Sequence, residues 1–253
     1  MATFILVHGS FHGAWCWERL TPLLTAAGHR VVTPDLPGSG ADTTPLVQVD
    51  LARYVQRICE VVDAEPEPPI LVAHSMGGIV CAQVAEKRAA AIAGLVYVCG
   101  LMLRSGETLT GFLTEFAHLG VRDLVLDNMV VRDGDAVADF PAAAAPAVFY
   151  NRCSDEDAAW AAARLKPQAT SVYGNAPALT DAGFGRVRRF YVLGHDDHAV
   201  SAVYQRLMVE RTPCERVFEM DTDHSPFLSA PGHLAEVLEA VVLTLQENQH
   251  GSQ

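Results

Sequence analysis

Short apolar runs alternate with longer stretches in which apolar residues recur at helical spacing. Six short runs read as strands, at residues 4–7, 30–33, 70–73, 95–98, 190–193 and 216–219. Most are apolar at nearly every position, which marks strands covered on both faces rather than half-exposed ones. Between and after them, residues 15–27, 49–62, 76–87, 202–211 and 231–245 carry the helical period. The last of these opens with Pro231 just inside its start, where the missing N–H costs nothing. Strand and helix in turn predict an α/β fold, a doubly wound and mostly parallel sheet.

The alternation fails between about Leu101 and Gly185, a stretch with an Ala-Pro tract from Pro141 to Pro146 and scattered helix-like patches. It resumes at about Val187. The pattern predicts a core built from residues 1–100 and 186–247, interrupted by a helical cap at 101–185 and followed by a polar, frayed tail at 248–253.

Composition narrows the function classes. Half of the 253 residues are hydrophobic and 19% are charged, enough for a sizeable core. The net charge of −12, without a cluster of cations, argues against nucleic acid and against an anionic membrane surface. The N-terminus lacks the basic region of a signal peptide, and no run approaches the ~18 apolar residues of a membrane span. Six cysteines without C-x-x-C spacing read as reduced thiols of a cytoplasmic protein. A homodimer is left open.

Chemistry concentrates after the strands. Ala73-His74-Ser75-Met76-Gly77-Gly78 follows the third strand and opens a helix, matching the G-x-S-x-G nucleophile elbow except that Ala73 replaces the first glycine. A serine needs a base, and His224, in the loop after the last strand, stands where this fold brings one. The acid belongs after the preceding strand, in Gly194-His195-Asp196-Asp197-His198, and spacing leaves Asp196 and Asp197 open. Four adjacent residues on one loop cannot converge on one ion, so no metal is expected. No P-loop or dinucleotide fingerprint opens a helix, so no cofactor is expected either. The turn His8-Gly9-Ser10-Phe11 after the first strand is placed to supply an oxyanion N–H, with Met76 supplying the other.

These residues resemble the plant methylesterase and hydroxynitrile lyase branch of the α/β-hydrolases. The likeness is densest in the run from Val7 to Trp15, in Ala27-Gly28-His29-Arg30-Val31, in the run from Ala73 to Gly78, in Asp197-His198-Ala199-Val200 with Tyr204-Gln205-Arg206, and in Asp223-His224. It implies the α/β-hydrolase fold, a Ser75–His224–Asp197 triad, and an oxyanion hole from the N–H groups of Ser10 and Met76. It also implies a cap enclosing an apolar pocket, with Gly9, Phe11, Phe112, Phe116, Phe149, Trp160 and Ser225 as lining candidates. The activity it implies is hydrolysis of a small ester through an acyl-enzyme, without a cofactor. A lyase using the same triad and a non-catalytic small-ligand receptor are the alternatives. The lyases carry a threonine after the first-strand histidine and a lysine after the catalytic histidine. Gly9 and Ser225 occupy those positions here.

Overall fold

The computed structural model describes residues 1–134 and 136–250. Strands β1 (Thr3–Val7), β2 (Arg30–Val32), β3 (Ile70–His74) and β4 (Gly94–Val98) come first; the cap adds β5 (Val130–Arg132), β6 (Val137–Asp139) and β7 (Gln168–Ala169). Strands β8 (Arg189–Gly194) and β9 (Arg216–Met220) complete the main sheet. That sheet is six-stranded, in the order β2-β1-β3-β4-β8-β9, and every pairing in it is parallel.

Alternation along the strands sorts the core into two halves. Ile5, Val7, Leu71, Ala73, Leu95, Tyr97, Tyr191 and Leu193 point to one face. There they meet α2 (Leu51–Asp63), α3 (Gly77–Lys87) and α9 (Ala202–Arg211). Phe4, Leu6, Ile70, Val72, Val96, Val98, Phe190 and Val192 point to the other, against α1 (Thr21–Ala26), α10 (Pro226–Ser229) and α11 (Pro231–His250). Successive strand residues therefore feed opposite layers, which is why the central strands read as unbroken apolar runs. Helix starts follow local chemistry: the Asp50 carboxylate accepts from Arg53 N–H at 2.8 Å to cap α2.

The helix expected over 15–27 is two pieces, a 3-10 turn at Ala14–Trp17 and then α1, with Pro at its first turn. The tail is also corrected in part. Helix α11 continues through His250, and the remaining residues, 251–253, lie outside those described.

The cap is not wholly helical. It contains α4 (Leu109–Glu115), α5 (Leu124–Asn128), α6 (Ala145–Val148), α7 (Asp155–Ala162) and α8 (Ser171–Gly174), together with the antiparallel sheet β5-β6-β7. Those strands have three, three and two residues, too short for a two-residue period to register in the sequence. No helix among the described residues is long and apolar enough to cross a membrane.

Candidate active site

The strand order reverses beside β1: β2 flanks it on one side and β3 on the other. The crevice beyond the carboxyl ends of strands at such a reversal is where open α/β sheets place their ligands. The loop after β1 carries Ser10, and the turn after β3 carries Ser75. The two loops pack so tightly that a Cβ on Gly9 would stand 2.7 Å from the Cβ of Ser75. Gly9 is thus a packing glycine beneath Ser75 and not a lining residue, which corrects its assignment to the pocket.

Ser75 has φ +51°, a left-handed conformation costing a residue with a side chain roughly 1–2 kcal/mol. The strain is held in place by its surroundings. Its N–H donates to Val98 O at 3.3 Å, and its carbonyl accepts from Gly78 N and Leu101 N, both at 2.9 Å. Gly77 permits the turn, because a Cβ there would meet the carbonyls of Val7 and His8 at 2.9 Å. The turn forms with Ala73 fully buried in β3, so the departure from the first motif glycine leaves the elbow intact.

His224 and Asp197 are brought together as the sequence suggests. The imidazole Nδ1 lies 2.8 Å from Asp197 Oδ2, and both groups are buried. That carboxylate is otherwise saturated: Oδ1 accepts from Ala199 N and Val200 N at 2.8 Å, and Oδ2 also accepts from Gln205 Nε2 at 2.9 Å. A carboxylate so held keeps the proton on His224 Nδ1 and leaves Nε2 as the acceptor. Asp196 turns outward to Arg152 Nε, at 2.5 Å, so of the two aspartates that spacing left open it is Asp197 that meets His224. His195 lies 3.0 Å from Glu219 and His198 3.4 Å from Asp196, so the other polar residues of that loop make part-exposed surface contacts.

Ser75 and His224 open onto one cavity of about 360 Å³, which Ser10, Phe11, Phe112 and Phe149 also line. The other pocket candidates lie elsewhere. Trp160 packs edge-on to Trp15 and beneath Arg164; Phe116 packs at a tilt against Phe112 and under Arg211. Ser225 is fully buried, and its hydroxyl finds no partner among the described residues.

Neither the Ser10 N–H nor the Met76 N–H makes a hydrogen bond among the described residues, so both remain available as donors. Two buried histidines set the loop that carries Ser10. His8 donates from Nδ1 to Gly9 O at 2.8 Å and accepts Leu36 N–H at Nε2. His12 donates from Nδ1 to Ser10 O at 2.7 Å and accepts the Tyr150 hydroxyl at Nε2, 2.8 Å. Burial, above every other influence, holds both rings below the usual histidine range, His12 down to about 3, so both are neutral. His74, beside Ser75 in sequence, points away from it and reaches the carbonyl of His224 at 2.9 Å.

The cap grips the same loop. Tyr173 donates its hydroxyl to Ser10 Oγ at 2.8 Å, and Lys166 N donates to Phe11 O at 2.9 Å. Sequence reasoning assigned no role to Gln205, His12, Tyr150 or Tyr173; the two tyrosines act through partners more than a hundred residues away, and Gln205 and His12 act only through Asp197 and the Ser10 carbonyl. Gln205 and His12 did carry a signal, as parts of the resemblance in Tyr204-Gln205-Arg206 and in the run from Val7 to Trp15.

Residues 4–237 match the model of the alpha/beta hydrolase family. The chain belongs to that family. Within it, the protein is 33% identical to norfluorocurarine synthase 2 of a Strychnos species over 93% of each chain. It is 30% identical to methylesterase 9 of Arabidopsis thaliana, covering 94% of this chain and 97% of that one. The alpha-hydroxynitrile lyase of the same plant is also 30% identical, over 94% and 96%. Among solved alpha/beta hydrolases, polyneuridine aldehyde esterase superposes with a TM-score of 0.86 at 25% identity, covering 96% of this chain and 99% of that one.

Proposed function

We propose that the protein hydrolyses a small, largely apolar carboxylic ester through an acyl-enzyme on Ser75. That it is a carboxylic ester hydrolase follows from its kinship with methylesterases; the residue roles are our assignment. The observation that carries them is the His224–Asp197 hydrogen bond, buried and saturated, at the wall of the cavity onto which Ser75 opens.

In this mechanism His224 Nε2 takes the proton of Ser75 Oγ as the oxygen attacks the ester carbonyl carbon. The Asp197 carboxylate stabilises the imidazolium that forms. The negative oxygen of the tetrahedral intermediate accepts from the N–H groups of Ser10 and Met76, which need not reorganise when the charge appears. Collapse expels the alcohol, protonated by His224. A water that gives its proton to the same nitrogen then attacks the acyl carbon and releases the acid. Six free thiols support a reducing compartment, the cytoplasm, as the place of action.

Two features disfavour cyanohydrin cleavage. A threonine in place of Gly9 would collide with Ser75 and His74, and among the described residues no lysine or arginine lines the cavity to stabilise departing cyanide. The test sets aldehyde release from mandelonitrile, corrected for the spontaneous reaction, beside hydrolysis of a short-chain nitrophenyl ester. We expect ester turnover with little or no aldehyde. Efficient Ser75-dependent aldehyde release without ester turnover would reverse the assignment.

A further inference from the structure

Apart from Ser75, His224 and a few hydroxyls, the wall of the cavity is aliphatic and aromatic, yet among the described residues it includes one carboxylate, Asp123, contributed by the cap. Its Oδ1 caps α5, accepting from Val125 N and Leu126 N at 2.9 Å each. Its Oδ2 has no hydrogen-bond partner among the described residues, and the titratable group that favours its charge is His224, which lines the same cavity. Capping needs only one oxygen, and a neutral asparagine or serine would serve as well. The second oxygen therefore puts an unbalanced charge beside apolar surface, at a cost that a cationic ligand would relieve. Burial raises the pKa of Asp123, as expected for a carboxyl short of counter-charge.

The surroundings fit such a ligand. Phe112, Phe149, Tyr173 and Tyr204 line the same cavity, and aromatic rings attract a weakly hydrated cation. Asp123 is close enough to Tyr204 to add to the effect of burial in disfavouring its phenolate. Arg211, which lies over the rings of Phe112 and Phe116, is committed to Glu107 at 2.6 Å. The chain as a whole, at −12, draws cations in.

We propose that the cavity admits an ester whose non-reacting part carries a protonated or quaternary amine, with Asp123 as its counter-charge and the aromatic rings as its walls. The inference rests on the esterase reading and adds the substrate class: an amine-bearing ester, with carboxylate-bearing esters excluded.

The test pairs two nitrophenyl esters, one with an acyl chain tipped by trimethylammonium and one tipped by its uncharged isostere, tert-butyl. Asp123→Asn keeps the cap of α5 and removes the charge, and its thermal melt verifies the fold. The ratio of kcat/KM for the ammonium ester over the tert-butyl ester should fall by about tenfold or more in Asp123→Asn, the scale of one partly desolvated charge pair. A smaller change, or a rise, overturns the proposal. A second arm separates this from the esterase reading. Calorimetric binding of an alkyltrimethylammonium ion to Ser75→Ala should be lost when Asp123→Asn is added, whether or not any ester is turned over. Equal binding by the two proteins refutes the role of Asp123 on its own.

Discussion

His8 Nδ1 donates to the carbonyl of Gly9 across 2.8 Å, and that carbonyl shares its peptide plane with the N–H of Ser10. Fixing one end of the peptide fixes the other. The buried imidazole therefore aims the proposed oxyanion donor without touching it.

His8→Leu should lower kcat on a short ester while KM changes little, because the loss falls in the transition state. The ceiling is the ~100- to 1000-fold cost of removing one oxyanion donor. Ser10→Ala is the contrast, since its N–H persists and only the hydroxyl that accepts from Tyr173 is removed. It should keep most of the activity. If the Ser10 variant proves the more damaged of the two in kcat, the donor is not the backbone N–H.

Asp197→Asn should be far more damaging than Asp196→Asn. Asparagine at 197 favours the wrong imidazole tautomer and removes the counter-charge, a change worth about 10⁴ in kcat in a comparable triad. Asp196 sits in a part-exposed pair with Arg152, of the kind that contributes about 0–1 kcal/mol. Steady-state kinetics of the two variants decide it, and the reverse ranking would move the acid to Asp196.

Most of this arrangement was legible in the sequence, for definite reasons. The six main-sheet strands announce themselves because both faces are covered, and the observed bounds differ from the expected ones by a residue or so. Ser75 and His224 are marked by position after a strand, which a linear reading can see. Asp197 needed the family likeness, because two adjacent aspartates differ only in which way the loop turns them. The cap was illegible in detail. Its strands are two or three residues long, and its contribution to the site is made by single side chains. Phe112 and Phe149 reach the cavity while Phe116 and Trp160, equally aromatic, pack behind it, and no periodicity separates the two kinds. Asp123 and Tyr173 became visible only with the cavity.

Acid should destabilise the fold through its buried histidines. His12 has a folded pKa of about 3 against an ordinary value of 6.5. The unfolded chain takes up a proton in that interval and the native protein does not. Stability from this group is therefore complete above about pH 6.5 and is lost as pH falls towards about 3, by about 2 kcal/mol at pH ~5. His8 and His74 act in the same direction. Melting temperature should drop as pH is lowered from ~7.5 to ~5, and less steeply in His12→Asn. A flat profile would mean that these rings are protonated in the native state.

The central claim is that Ser75 Oγ forms the bond to the acyl group. Its most direct measurement is the rate of hydrolysis of a short-chain nitrophenyl ester by purified, folded Ser75→Ala. The account predicts a fall in kcat of several orders of magnitude, approaching the ~10⁶-fold seen when a triad serine is removed. Turnover within about tenfold of the unaltered protein would contradict it.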